Sequence, residues 1–402
     1  MNSQLNILLD AHPLTPPRSG VGRYTAGMAQ ALMTREDINL EAVYQQRVLS
    51  GVELGHLVAD EIATGTPAQQ KTRYMTTLKT GLRGIARKTA PDAARRVLRR
   101  YRDYQFTRLT RSLGQTHIHH APNFLPMPFE GPVVITVHDL SCFDHPEYHP
   151  NDRVAEMQRL LPKALARADS VICVSSATRQ ALLRWFPENA NKAVVIPPGI
   201  DSPFFQTQNI ANTRQVLRPY QLDYNGYFLC VGTLEPRKNL PVLFRAYAQL
   251  SPELRATLPL VVAGSEGWLT GEVHAAAQQL KKRGELRFLG FVPDADLPAL
   301  YHGALGMCYP SRYEGFGLPV AEAMACGTPV IAGNRTSLPE VVGDAGLLVD
   351  PDDIDGFANY LHALATDKQM RDRLSETGRQ HSEQFSWGGC AERLAGLYAS
   401  LR

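Results

Sequence analysis

Long apolar runs are missing from this 402-residue chain. The hydrophobic stretches are short and interrupted, well below the roughly 20 residues that a membrane-spanning helix needs. The start, Met1-Asn2-Ser3-Gln4, has no basic patch ahead of an apolar core, so no signal peptide is expected. Cysteine is scarce as well. Cys142, Cys173, Cys230, Cys308, Cys326 and Cys390 are scattered singly, several inside strand-like runs such as Val171-Ile172-Cys173-Val174. That excludes a disulfide framework and a zinc site, and suits reduced, buried thiols in a cytosolic protein. Around His117, His119 and His120 no carboxylate or cysteine completes a metal-binding spacing, so they read as ordinary strand histidines and no metal is expected.

Strong net charge is also lacking, at +3, but the charge is unevenly placed. From Lys71 to Arg111 the chain has thirteen basic and two acidic residues, so this stretch carries +11 and the remainder −8. Apolar residues interleave at helical spacing: Leu78, Leu82 and Ile85, then Val97, Leu98 and Tyr101, then Phe106, Leu109 and Leu113. Such a basic amphipathic segment suits an anionic membrane surface, and equally a solvated helical face packed on a domain. Its aromatic spacing does not suggest a stacking platform, so no nucleic acid partner is expected.

The length suits two domains of roughly 200 residues, and a hydrophobic share of 44% supports substantial cores. Both halves alternate strands with helices, the mark of parallel sheets covered on both faces. In the first half Leu5 to Leu9, Pro132 to Val137, Ser170 to Val174 and Ala193 to Ile196 read as strands. In the second half they are Tyr227 to Val231, Leu260 to Ala263, Leu286 to Leu289, Leu305 to Tyr309 and Pro329 to Ala332. Pro197-Pro198-Gly199-Ile200-Asp201 breaks the pattern. The expected organisation is one Rossmann-like domain over 1–196, with the basic insertion at about 71–111, and a second over 203–383. Two such domains imply a cleft at the carboxyl ends of their strands.

Candidate site residues cluster at those strand ends. Glu314, in Ser311-Arg312-Tyr313-Glu314-Gly315-Phe316-Gly317-Leu318-Pro319, is followed eight positions later by Glu322. Here a strand runs into a helix, with Pro319 suited to its first position, Gly327 to the residue after its end, and Glu322 expected in its first turn. A helix start attracts anions, and Gly315 and Gly317 let backbone approach a ligand. Carboxylates there can accept bonds from sugar hydroxyls beside a bound phosphate; in isolation the pair also reads as a capped helix with helix-friendly glutamates. Glu235-Pro236-Arg237-Lys238-Asn239 follows a strand ending at Gly232, and its adjacent cations can neutralise a diphosphate. His138-Asp139 ends another strand: His138 can bond a sugar hydroxyl, and Asp139 can orient its ring or cap the next turn. Asn123 also lies at a strand end. Ser19-Gly20-Val21-Gly22-Arg23 reads as a loop linking the first strand to the first helix. The acidic run Asp350-Pro351-Asp352-Asp353-Ile354-Asp355 reads as a helix cap, against a metal-binding D-x-D motif. Ser265-Glu266-Gly267-Trp268 is a further strand-end loop, its role open.

The order and spacing of these segments resemble the E-x7-E retaining glycosyltransferases with two Rossmann-like domains, family 4 of the GT-B class. The likeness runs over nearly the whole chain. It implies that the segment 384–402 returns as a helix to the first domain. It implies that the Gly20 and Gly22 loop lies over the transferred sugar, though Val21 splits the glycine pair. It places the nucleotide base at Gly290-Phe291-Val292, where Phe291 also reads as core. On this reading Glu314 holds donor-sugar hydroxyls, Glu322 the ribose, and Arg237 and Lys238 the diphosphate. Gly232, Gly315, Phe316, Gly317, Leu318, Phe291 and Val292 line the donor site, with His138 near the reacting centre and Asn123 and Asp139 on the acceptor side. No metal or cofactor is implied beyond the donor, a nucleoside diphosphate sugar. The run Val137-His138-Asp139-Leu140-Ser141 with His145-Pro146-Glu147-Tyr148-His149-Pro150 resembles a subgroup using GDP-mannose or a related deoxyhexose donor such as GDP-rhamnose. The acceptor is then a lipid-linked oligosaccharide of lipopolysaccharide O-antigen or similar surface polysaccharide. For such an acceptor the basic 71–111 segment favours peripheral binding to the anionic inner face of the bacterial inner membrane. The rival readings are a GT-B-fold nucleotide-sugar epimerase and a non-catalytic sugar-nucleotide scaffold.

Overall fold

Val133–Val137, Phe228–Val231 and Val330–Gly333 are short apolar runs buried along their whole length, as strands covered by helices on both faces must be. The computed structural model describes residues 4–16, 18–59, 92–200, 205 and 209–402, with the main chain alone for 92–100. The first sheet has seven strands: β1 (Leu5–Asp10), β2 (Ile38–Tyr44), β3 (Arg47–Ser50), β4 (His117–Ala121), β5 (Val133–Val137), β6 (Ser170–Cys173) and β7 (Ala193–Val195). They lie in the order β3-β2-β1-β4-β5-β6-β7. β1 pairs in parallel with β2 and β4, and β4 with β5; β3 is an antiparallel addition to β2. The second sheet has β8 (Phe228–Val231), β9 (Leu260–Ala263), β10 (Leu286–Gly290), β11 (Gly306–Tyr309), β12 (Val330–Gly333) and β13 (Leu347–Val349), ordered β10-β9-β8-β11-β12-β13. Its pairings are parallel. In each sheet the strand order reverses once, beside β1 and beside β8, and ligands of open parallel sheets bind outside the carboxyl ends at such reversals.

The helices used below are α1 (Gly20–Met33), α2 (Gly51–Ala59), α3 (Asp92–Thr110), α4 (Asn151–Arg167), α5 (Ser176–Trp185), α6 (Leu240–Ala248), α7 (Leu318–Ala325), α8 (Ile354–Thr366) and α9 (Trp387–Ala399). By backbone proximity the chain divides into two compact units. One comprises Met1–Thr136, Lys163–Val171 and Ala391–Arg402; the other comprises Val137–Pro162 and Ile172–Cys390. The second unit has a core in which Phe228, Leu243, Phe244, Tyr247, Leu260 and Phe357 pack between sheet and helices. All six cysteines are buried free thiols, and burial pushes those of Cys173 and Cys230 up to about 12, which leaves them unreactive.

Three expectations need correction. Gly20 and Gly22 do not form a linking loop: they lie in the first turn of α1, with Ser19 as its N-cap. Glu322 sits in the second turn of α7, which has no acidic residue in its first. Strands β2, β3 and β13 were not anticipated: Arg47-Val48-Leu49-Ser50 and the three-residue Leu347–Val349 give little periodicity, while β2 does alternate, with Ile38, Leu40 and Ala42 buried, and was missed all the same. Of the basic 71–111 segment, residues up to 91 lie outside the described residues. The rest is α3 and the turn after it: Phe106 is buried, while Tyr101, Tyr104, Arg108 and Arg111 are exposed.

Helix α9 supplies Tyr398 to the interior of the first unit. Its hydroxyl lies 2.7 Å from His120 Nδ1, and His120 Nε2 lies 2.9 Å from Thr136 Oγ1. All three side chains are buried, and a buried imidazole that loses a partner costs more than the bond itself was worth. Tyr398→Phe should therefore lower unfolding stability by about 1 to 2 kcal/mol in urea titration; an unchanged midpoint would show that the contact does not anchor the helix.

Candidate active site

The site grows from two strand ends of the second sheet. After β8 the chain passes Gly232 to a single 3-10 turn, Pro236–Lys238, then Asn239 at φ 55 before α6. Asparagine tolerates that left-handed conformation better than most residues, and its side-chain amide donates to the Pro351 carbonyl at 2.5 Å. The turn points Arg237 and Lys238 at the loop after β11. Arg237 Nη1 meets Glu314 Oε2 at 2.6 Å and the Tyr313 carbonyl at 3.0 Å, while Nη2 meets Glu235 Oε1 at 2.6 Å. Lys238 Nζ donates to Glu314 Oε1 at 2.6 Å and to the Tyr309 hydroxyl at 2.5 Å. Gly232 lies beside the lysine's aliphatic stem.

Each oxygen of Glu314 thus receives a different cation, in a place where its side chain is 7% exposed. Burial alone would raise its pKa, but the charges of Arg237 and Lys238 overcome this and hold it at about 2. Burial would lower the Arg237 pKa, and Glu314, Glu235 and Asp139 raise it instead. Asp139 is held below the usual carboxylate range: Arg237 and bonds from Ser141 outweigh its burial. Three carboxylates therefore surround two cations. Burial makes such an arrangement expensive to break from one side.

The loop carrying Glu314 is fixed by main-chain contacts. Glu314 N donates to Thr336 Oγ1 at 2.9 Å, and Ser337 Oγ donates to the Glu314 and Phe316 carbonyls at 3.0 and 2.9 Å. Ser175 and Thr178 hydroxyls donate to the Gly315 carbonyl at 2.5 and 3.0 Å. Gly315 packs so tightly on the His138 carbonyl that a Cβ there would overlap it. This brings the segment after β5, His138-Asp139, against the Glu314 loop. Gly317, at φ 102, then turns the chain into α7. Along that helix Glu322 is buried, and its Oε2 accepts from the Tyr301 hydroxyl at 2.9 Å.

His138, Asp139, Gly232, Arg237, Lys238, Glu314 and Gly315 are thus assembled in one place within the second unit. Phe316 is buried against the edge of Phe385 at 5.3 Å, and Leu318 opens α7. Phe291 is not core: at 49% exposure it projects just after Gly290, where β10 loses register and φ reaches 70, and Val292 is buried behind it. Gly20, Gly22 and the exposed Asn123 belong to the first unit. Sequence reasoning gave no role to Glu235 or Tyr309, although both stand inside the quoted segments; a carboxylate two residues before an arginine was the available signal. Asp350 and Asp352 neutralise Arg335 and Arg312, and Asp353 caps α8.

Two parallel-sheet domains with a cationic pair at a strand end define a class. Residues 18–203 match Glycosyltransferase Family 4 and residues 221–381 match Glycosyl transferases group 1. The chain belongs to the family 4 glycosyltransferases of GT-B fold. It is 35% identical over 401 residues to O-antigen chain mannosyltransferase B of Escherichia coli, covering 99% of this chain and 100% of that one. A serotype-specific mannosyltransferase WbdA of Escherichia coli is 30% identical over 263 residues, 64% of this chain and 32% of that longer protein. Among solved structures, Anabaena Alr3699/HepE in complex with UDP-glucose matches with a TM-score of 0.70 at 19% identity, covering 98% and 99% of the two chains. Sucrose-phosphate synthase from Thermosynechococcus elongatus matches at 0.69 and 20%, covering 99% of each. At those identities the likeness establishes fold.

Because the folded-state pKa of Glu314 is depressed from 4.5 to about 2, its contribution is complete above pH 4.5 and lost as pH falls toward 2. We expect wild-type stability to drop over that window by up to about 3 kcal/mol more than that of Glu314→Gln. Parallel acid limbs in guanidinium titrations of the two proteins would contradict the bridged carboxylate.

Proposed function

We propose that this protein is a retaining mannosyltransferase of O-antigen synthesis, moving mannose from GDP-mannose to a hydroxyl of a growing lipid-linked saccharide. The observation that carries this reading is the match along the full length to an O-antigen chain mannosyltransferase, in a chain whose Arg237 and Lys238 converge on Glu314. As the sugar leaves, the diphosphate gains negative charge. Cations fixed in a site sheltered from water stabilise that charge with little reorganisation.

The internal pairing suggests how the donor enters. A diphosphate takes N–H donors of Arg237 and Lys238 away from Glu314, whose oxygens are then able to accept bonds from hydroxyls of the sugar. Glu322 bonds the ribose, and the exposed Phe291 with Val292 meets the base. His138 contacts the transferred sugar at the reacting carbon. Transfer proceeds on one face: the C–O bond to the phosphate breaks, the acceptor oxygen bonds the same carbon from the same side, and its proton passes to the leaving phosphate oxygen. No protein nucleophile or metal is required in this scheme, and the anomeric configuration is kept.

For location, no helix among the described residues is long and apolar enough to cross a membrane. The basic 71–111 segment, with Tyr101 and Tyr104 exposed on α3, supports peripheral attachment to the anionic cytoplasmic face of the inner membrane.

Three measurements test these assignments. In a thermal-stability panel of nucleotide sugars, GDP-mannose at 100 times its dissociation constant should add about 2.7 kcal/mol, and Arg237→Ala, assayed well below its own lowered melting point, should cut turnover about 100-fold; stabilisation by UDP-sugars alone, or undiminished turnover, would contradict the donor or the diphosphate assignment. Flotation with anionic vesicles should fail when Arg95, Arg96, Arg99 and Arg100 are changed to Glu. Persistent flotation rules out basic docking.

A further inference from the structure

Behind the cationic turn lies a second buried chain of polar groups. Asp139 Oδ1 accepts from the Ser141 main-chain N–H at 3.0 Å and from Ser141 Oγ at 2.6 Å. Ser141 Oγ is in turn 2.7 Å from His149 Nε2. Ser141 and His149 are buried, at 1% and 4% exposure. Proton bookkeeping fixes the direction. Asp139 is ionised, held so by Arg237 and the Ser141 bonds against its own burial, and a carboxylate has no proton to give. Ser141 therefore spends its single proton on Asp139, and its contact with His149 must be donated by Nε2–H. His149 is neutral across the physiological range: burial and then Arg153 lower its pKa to about 4. Its tautomer is accordingly the Nε2–H form, and Nδ1 makes no hydrogen bond.

The ring is walled in by a loop that the sequence left without a role. Trp268 lies 5.9 Å from the His149 ring, donates its indole N–H to the Tyr148 carbonyl at 2.6 Å, and carries Arg153 over its face at 5.3 Å. His149 cannot swing away from Ser141 without opening that packing.

We infer that His149 is a positioning residue for the donor site, acting through Ser141 to fix the Asp139 carboxylate beside Arg237. Released from Ser141, Asp139 would be able to bond the guanidinium directly and compete with an incoming diphosphate. The inference rests on the proposed role of Arg237 and Lys238 as the diphosphate grip.

The test is calorimetric titration of the full-length protein with GDP and with UDP, using His149→Gln, His149→Phe, Ser141→Ala and the double variant His149→Phe/Ser141→Ala. His149→Phe fills the volume but lacks the donor, so it should weaken binding of the preferred nucleotide about tenfold, the worth of one hydrogen bond to a charged chain. The Gln amide nitrogen reaches the position of Nε2 and should restore affinity to within about threefold. If His149 acts through Ser141, the double variant binds no worse than Ser141→Ala. A merely space-filling role predicts that Phe is tolerated and Gln is no better. Additive losses in the double variant, or equal losses in Gln and Phe, overturn the proposal while leaving the donor site intact. Failure of the wild-type protein to bind either nucleotide overturns the diphosphate reading and this one with it. Should His149→Phe not fold, the comparison of Ser141→Ala, expected to be about tenfold weaker, with His149→Gln decides the matter alone.

Discussion

One carboxylate, that of Glu314, organises the second unit's working surface. Its two oxygens each hold a different cation at 2.6 Å, and the loop that carries it is tied down by Thr336, Ser337, Ser175 and Thr178. Removing one member of a buried charge cluster exposes the others to an uncompensated field, at several kcal/mol. The strand-end turn after β8 and the loop after β11 are thereby held to each other. Glycine at 315 is a condition of the same arrangement, because the Glu314 loop lies directly on the His138 carbonyl.

The charge balance explains how two adjacent cations are accommodated in a buried turn. Arginine and lysine side by side in a buried turn would repel each other if nothing opposed their charge. Glu314 pairs with both and Glu235 with the arginine, so both side chains are oriented by the fold itself. Preorganisation of this kind removes reorganisation from the reaction step. It also sets a threshold: a ligand must offer more negative charge, or better geometry, than the carboxylates it replaces. Under the proposed function a diphosphate meets that requirement where a single neutral sugar does not.

The alternation of strands and helices was legible because parallel strands buried on both faces read as unbroken apolar runs, as in Val133–Val137 and Phe228–Val231. Short or polar strands were not, and β3, an antiparallel addition with an exposed arginine, shows why: edge strands carry no such run. Gly20 and Gly22 misled because glycine is a poor helix former, yet Ser19 caps the helix there and starts it earlier. At the site the strand-end motifs named Arg237, Lys238 and Glu314, but not that they bond one another across some 77 positions of sequence. Nor could local spacing reveal the Asp139–Ser141–His149 chain. It depends on a 3-10 turn, Pro146–Tyr148, that folds His149 back over Ser141.

Under the proposed function, Arg237 and Lys238 hold the charged tail of an activated sugar. A crystal structure of the protein with a bound nucleoside diphosphate sugar tests it most directly. Phosphate oxygens should lie in hydrogen-bonding contact with both cations, with Glu314 turned to the sugar's hydroxyls. Electron density for the diphosphate elsewhere, with the Arg237–Glu314–Lys238 bridge untouched, would contradict it.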